Sequence, residues 1–233
     1  MGLTRALTLW LVLLAGPVWA TPPRVTYSDD RLVAATQTHF YVLRELVDNR
    51  GSHWSELRDQ YLVEISLDSG KASNHWLLRS MQIDRLLTNV FLSPGTVTEH
   101  AGGTHDMMAL LAAQGAAPMR LGYSAAQQFT VDGDGLRNAD GAVVADMARI
   151  ARTAKAQLLP LAIRYPPLAS TPEPGGADVL EYYVMGDPAD WLCVVLPGSQ
   201  TLYRESGEMQ LLPMQCEDDA TLGRWSFHMV LEQ

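Results

Sequence analysis

The sequence predicts an α+β protein in which a helical N-terminal half packs against a C-terminal antiparallel β-sheet. Apolar residues from Leu32 to Gln114 recur mainly at three- and four-residue steps, the spacing of a helix face. From Val179 onward, short apolar stretches alternate with turn residues, the pattern of short strands. Helices first and strands later is the α+β order.

Ahead of the fold, Met1 to Ala20 reads as a secretory signal peptide. Arg5 supplies the positive end, Leu7 to Leu14 the apolar core, and Gly16, Pro17, Val18 and Ala20 a helix break followed by small residues suited to cleavage. The apolar run falls short of the roughly 20 residues that cross a bilayer, and no Cys follows it to accept a lipid. A single domain over residues 21–233 is expected, periplasmic or secreted, with no membrane insertion after cleavage.

Thr21 to Asp30, opening on Pro22 and Pro23, reads as an extended arm. Val33, Phe40, Val42, Leu43, Leu46 and Val47 predict a helix over Leu32 to Asp48, stopped by Asn49, Arg50 and Gly51. Trp54, Leu57, Tyr61, Leu62 and Ile65 predict a second, ended by Asp68, Ser69 and Gly70. A third is expected from Trp76 to Val90, a loop from Ser93 to Thr104, and a helix from His105 to Gln114 that Gly115 closes.

The segment DGDGLRNADG, Asp132 to Gly141, predicts two tight turns. Val143, Met147, Ile150, Ala151 and Ala154 then oppose Asp146, Arg149, Arg152 and Lys155 on an amphipathic helix, with Asp140 as its candidate cap. Leu158 to Ile163, interrupted by Pro160, suits an edge strand, and Tyr165 to Gly176 a surface loop. Strands are expected at Val179 to Met185, Trp191 to Leu196, Thr201 to Tyr203, Met209 to Leu212 and Trp225 to Leu231.

Without Arg5 the chain carries 16 Lys and Arg against 26 Asp and Glu, a balance of −10 with His neutral. That charge opposes nucleic acid and anionic lipid as partners. The only two cysteines, Cys193 and Cys216, are expected to pair in an oxidising compartment, since neither sits in a CxxC or helix-start context that would activate a thiol.

Asp132, Asp134, Asn138 and Asp140 present calcium-type oxygens, but Leu136 and Arg137 occupy positions an EF-hand needs for a ligand and its glycine. Glu99, His100, His105 and Asp106 lack the spacing of a zinc motif. No metal and no cofactor are therefore expected. Nucleophile-elbow, P-loop and dinucleotide signatures are absent from the sequence.

One block resembles a known family. Ala101 to Pro118, AGGTHDMMALLAAQGAAP, is similar to the double-glycine helix of papain-like cysteine peptidases, especially the bleomycin hydrolase type. Leu57, Asp59, Gln60, Leu62 and Val63 resemble that family's L-S-E-Q-x-L-V helix start, with Arg58 in place of the serine. Val144 to Ile163, Ala177 to Gly186 and Trp191 to Gly198 resemble its later helix and strands.

The resemblance implies a papain-like α+β domain whose nucleophile would fall near Ala34, Ala35 or Thr36, where no Cys stands. Its oxyanion donor would fall near Asp29 or Asp30, and its histidine strand, near Gly176 to Asp178, holds no His. It thus implies a non-catalytic relative that binds a peptide or protein partner in a groove at Gly102, Gly103, Thr104 and His105. Two other readings stand beside it. One is a hydrolase with His105 and Asp106 in its catalytic set. The other is an envelope interaction or inhibitor module of unrelated fold, built on a single stapled sheet with aromatics around Trp191, Tyr203 and Trp225.

Overall fold

The computed structural model describes residues 25–49, 55–84, 96–102, 105–118, 129–158, 163–164, 179–180, 187–205, 207–219 and 222–232. The first elements are β1 (Thr26–Ala35), β2 (His39–Asp48), β3 (Ser55–Ser66), β4 (Ala72–Asp84) and β5 (Thr96–Gly102). Helix α1 (Met107–Ala113) and β6 (Ala117–Pro118) follow. The middle of the chain holds β7 (Thr130–Asp132), β8 (Gly135–Arg137), β9 (Val143–Asp146), α2 (Met147–Leu158), β10 (Ile163–Arg164) and β11 (Val179–Leu180). A 3-10 turn at Pro188–Asp190 then leads into β12 (Leu192–Val195), β13 (Gln200–Arg204), β14 (Gly207–Asp218) and β15 (Gly223–Glu232).

One ten-stranded sheet runs β12, β14, β15, β1, β2, β3, β4, β5, with β13 also on β14 and β6 also on β1. Strands β1 to β5 form an antiparallel meander. The β14–β15 hairpin joins it by a short parallel pairing of Thr26–Ser28 with Gly223–Trp225. Strands β7, β8 and β9 make a small separate sheet.

The expected helical N-terminal half is therefore corrected: the predicted helices at Leu32 to Asp48 and Trp54 to Ile65, and the described part of the one at Trp76 to Val90, are strands β1 to β4. The α+β, papain-like arrangement goes with them. Ala34 and Ala35 end a strand instead of starting a central helix. The predicted loop from Ser93 to Thr104 contains β5.

The physical reason lies in β2, which is buried on both faces. Phe40, Val42 and Leu46 enter the main core, while Tyr41, on the opposite face, packs with Ala34, Leu62 and Leu111 of α1. Two apolar faces erase the alternation that marks a half-buried strand. Helix α1 covers one face of the meander with Leu110 and Leu111. Helix α2 belongs to the core on the other, burying Ile150, Ala151, Ala154, Gln157 and Leu158 at helical spacing.

The two turns expected in DGDGLRNADG are present. Asp132 to Gly135 turns β7 into β8, and Asn138 to Gly141 turns β8 toward β9. Gly135 is obligatory here: its φ is +138°, and a Cβ would press on the Ala145 carbonyl oxygen. Asp140 is not the cap of α2; Asp146 accepts from Arg149 N at 2.6 Å. Of the strand expected at Leu158 to Ile163, Leu158 instead ends α2 and Ile163 begins β10; the four residues between them, the loop expected at Tyr165 to Gly176 and most of the strand expected at Val179 to Met185 lie outside the described residues.

Candidate functional site

Gly102 is the last residue of β5, paired with Arg79 of β4, and Gly103 and Thr104 lie outside the described residues. His105 is exposed just before α1. Asp106 caps that helix, its Oδ1 accepting from Met108 N at 2.8 Å and Ala109 N at 3.4 Å. Among the described residues no group of three His, Cys, Asp or Glu is placed to hold a metal. In the calcium-like segment Arg137 supplies the positive charge, donating to Asp132 and Asp134 at 2.6 Å each. This pairing holds the Asp132 carboxyl below its ordinary range.

The polar centre of the molecule lies where β15 parts from β1. Arg44 of β2 grips Asp30 of β1 through two hydrogen bonds of 2.7 and 2.6 Å, both side chains fully buried. The same guanidinium donates to the Gln157 carbonyl at the end of α2. The Gln157 side chain behaves as a missing strand neighbour. Its Oε1 accepts from His228 N at 3.0 Å, and its Nε2 donates to the His228 carbonyl at 2.7 Å and to Gly70 O at 3.0 Å. His228 is itself buried, and burial pushes its imidazole down to about 4.

Among the described residues, two surfaces set apolar side chains beside polar groups with spare hydrogen-bonding capacity. The first is β12, joined to β14 by the Cys193–Cys216 disulfide. That bridge was legible from the cysteine count, and it fixes which way the strand faces. Cys193 and Val195 pack inward with Val131, so Leu192 and Val194 point outward, 64% and 53% exposed. The Leu196 N to Pro213 O bond sets the ladder phase, so the N–H and C=O groups of Cys193 and Val195 face away from β14. Trp191 and Trp225 are buried, edge to face with centroids 5.1 Å apart, and Tyr203 alone of the three expected interface aromatics is exposed.

The second surface is a cleft of about 680 Å³ between the β3–β4 turn, α2 and the far end of the β14–β15 hairpin. Leu67, Met209, Leu231 and Phe129 give it apolar walls, and Asp68, Arg149, Thr153 and Glu232 give it polar ones. Arg149 is held by the Val144 and Val230 carbonyls, each at 3.1 Å. None of these residues carries a motif; Arg149 was legible only as the polar face of a helix. The chain matches no protein-family model, no characterised protein and no solved structure.

Proposed function

We propose that this protein is exported and works by binding a polypeptide partner, an extended segment of which adds to the sheet as a strand along β12. The reading rests on one observation: a disulfide-stapled strand whose outward backbone groups at Cys193 and Val195 have no partner among the described residues, beside exposed Leu192 and Val194. Sheet edges are usually protected by Lys, Pro or a bulge, because an open ladder recruits other chains. The sequence LCVV carries no such protection. Backbone bonds along the edge supply affinity, and Leu192 and Val194 read the partner's alternate side chains.

Charge indicates which segment fits. Asp187 and Asp190 precede the strand and Glu217 lies opposite Leu192, all exposed. An alternating apolar strand with basic flanks complements them.

Hydrogen exchange with a synthetic probe, Lys-Val-Thr-Val-Thr-Val-Lys, tests this reading. The Cys193 and Val195 amides exchange quickly in the unbound protein and slow on adding the probe, whereas those of Val194 and Leu196 are protected throughout. Val195→Pro removes an outward N–H without breaking the β14 ladder and abolishes binding. Unchanged exchange at Cys193 and Val195 under saturating probe, or undiminished binding by the proline variant, overturns it.

A further inference from the structure

The cleft at the other end of the β14–β15 hairpin is a second binding site, and we propose that it takes a zwitterionic dipeptide with apolar side chains. Its volume of about 680 Å³ lies in the range that encloses small ligands. Three features of the walls narrow the class.

The first is Arg149. Two of its five N–H donors are spent on the Val144 and Val230 carbonyls, which fix the guanidinium in place. The others have no partner among the described residues, and a fixed fork with spare donors is suited to a carboxylate. The second is Glu232, a cleft residue whose carboxylate has no partner among the described residues. The neighbouring Asp68 carboxylate is already engaged by Arg204 at 3.0 Å. Glu232 is thus the acceptor for an ammonium.

The third is the backbone step between them. The Val230 carbonyl anchors Arg149, and Glu232 lies two residues further along β15, a step of roughly 7 Å. Two extended residues span about 7 Å, so a dipeptide matches that step in length, whereas a single amino acid does not. Leu67, Met209 and Phe129 then receive the apolar side chains.

Calorimetric titration with Leu-Phe, N-acetyl-Leu-Phe and Leu-Phe-amide tests the assignment. Leu-Phe binds in a saturable way, and blocking either terminus weakens it about tenfold or more. Glu232→Gln removes the acetylation penalty and keeps the amidation penalty; Arg149→Lys, which retains the charge, lowers the amidation penalty. Glu232 lies at a strand end, so the glutamine variant folds normally, as checked by its urea midpoint. Absence of Leu-Phe binding overturns the proposal, as do equal affinities for the blocked peptides, tighter binding of free leucine, or an acetylation penalty that survives in the glutamine variant. The β12 probe titrated in parallel keeps the two sites distinct, because its binding is indifferent to Glu232→Gln.

Discussion

Lowering the pH probes the centre of the fold through His228. Its ring lies edge to face on Phe40, with centroids 5.7 Å apart, and its Nδ1 has no partner among the described residues. Burial pushes its protonation down to about 4, Asp30 pulls it up, and Arg44 pushes it down again. In the unfolded chain the imidazole titrates near 6.5. Between those values the unfolded chain binds a proton that the folded chain does not, so stability falls as the pH falls. The displacement corresponds to about 3 kcal/mol, most of which is lost by pH 4. Urea unfolding with the disulfide intact, followed across this window for the parent and for His228→Phe, isolates the contribution. Phenylalanine keeps a ring against Phe40 and cannot titrate, so the difference between the two curves reports the loss of the imidazole. The parent loses about 3 kcal/mol more than the variant between neutral pH and pH 4. Parallel stability curves refute the reasoning.

Gln157→Leu leaves the His228 N–H and the Gly70 and His228 carbonyls without their side-chain partner, and costs about 3 kcal/mol in urea unfolding. Arg44→Met strands the buried Asp30 carboxylate and costs about 3–5 kcal/mol, whereas the double variant Asp30→Leu/Arg44→Met recovers most of that loss. A double variant no more stable than Arg44→Met alone argues against the pair as the cause.

The described part of the C-terminal half was largely legible because its signals were local. The strands from Trp191 onward, the amphipathic α2 and the turns of DGDGLRNADG each rest on nearest-neighbour chemistry, and the disulfide rests on a count of two. The N-terminal half misled because a step of four residues belongs to both periods. Leu57, Tyr61 and Ile65 lie on one face of a helix and equally on one face of β3. Asp59 and Val63, on that same face, decide between them, but a buried aspartate reads as a break in an apolar stripe. Arg44 and Asp48 do the same in β2, where polar residues occupy buried positions and Tyr41 and Val47 fill the opposite face. A charge that is neutralised only by a residue on the next strand, as Arg44 is by Asp30, carries no signal in its own segment. The groove expected at Gly102 to His105 depended on a family scaffold, and the surfaces proposed in its place depend on long-range pairings that no short window contains.

Both proposed sites hang on the β14–β15 hairpin, and that hairpin is secured near its turn and at its middle. The disulfide fastens it to β12 at Cys216, and Gln157 fastens it to α2 at His228. The cleft uses Met209 and Glu232, which face each other at one end of the hairpin; β12 pairs from Glu217 to Met214, toward the other. Met209 and Glu217 stand eight residues apart on one strand, roughly 27 Å. A strand on β12 and a dipeptide in the cleft therefore do not collide. Coupling between them would require an element with two arrangements that each ligand distinguishes. The ladder between the sites is continuous from Met209 to Asp218, and its one proline, Pro213, stands opposite His228, whose backbone groups are taken by Gln157. No second arrangement is open to that ladder without breaking those bonds, so occupancy of either site leaves the affinity of the other unchanged.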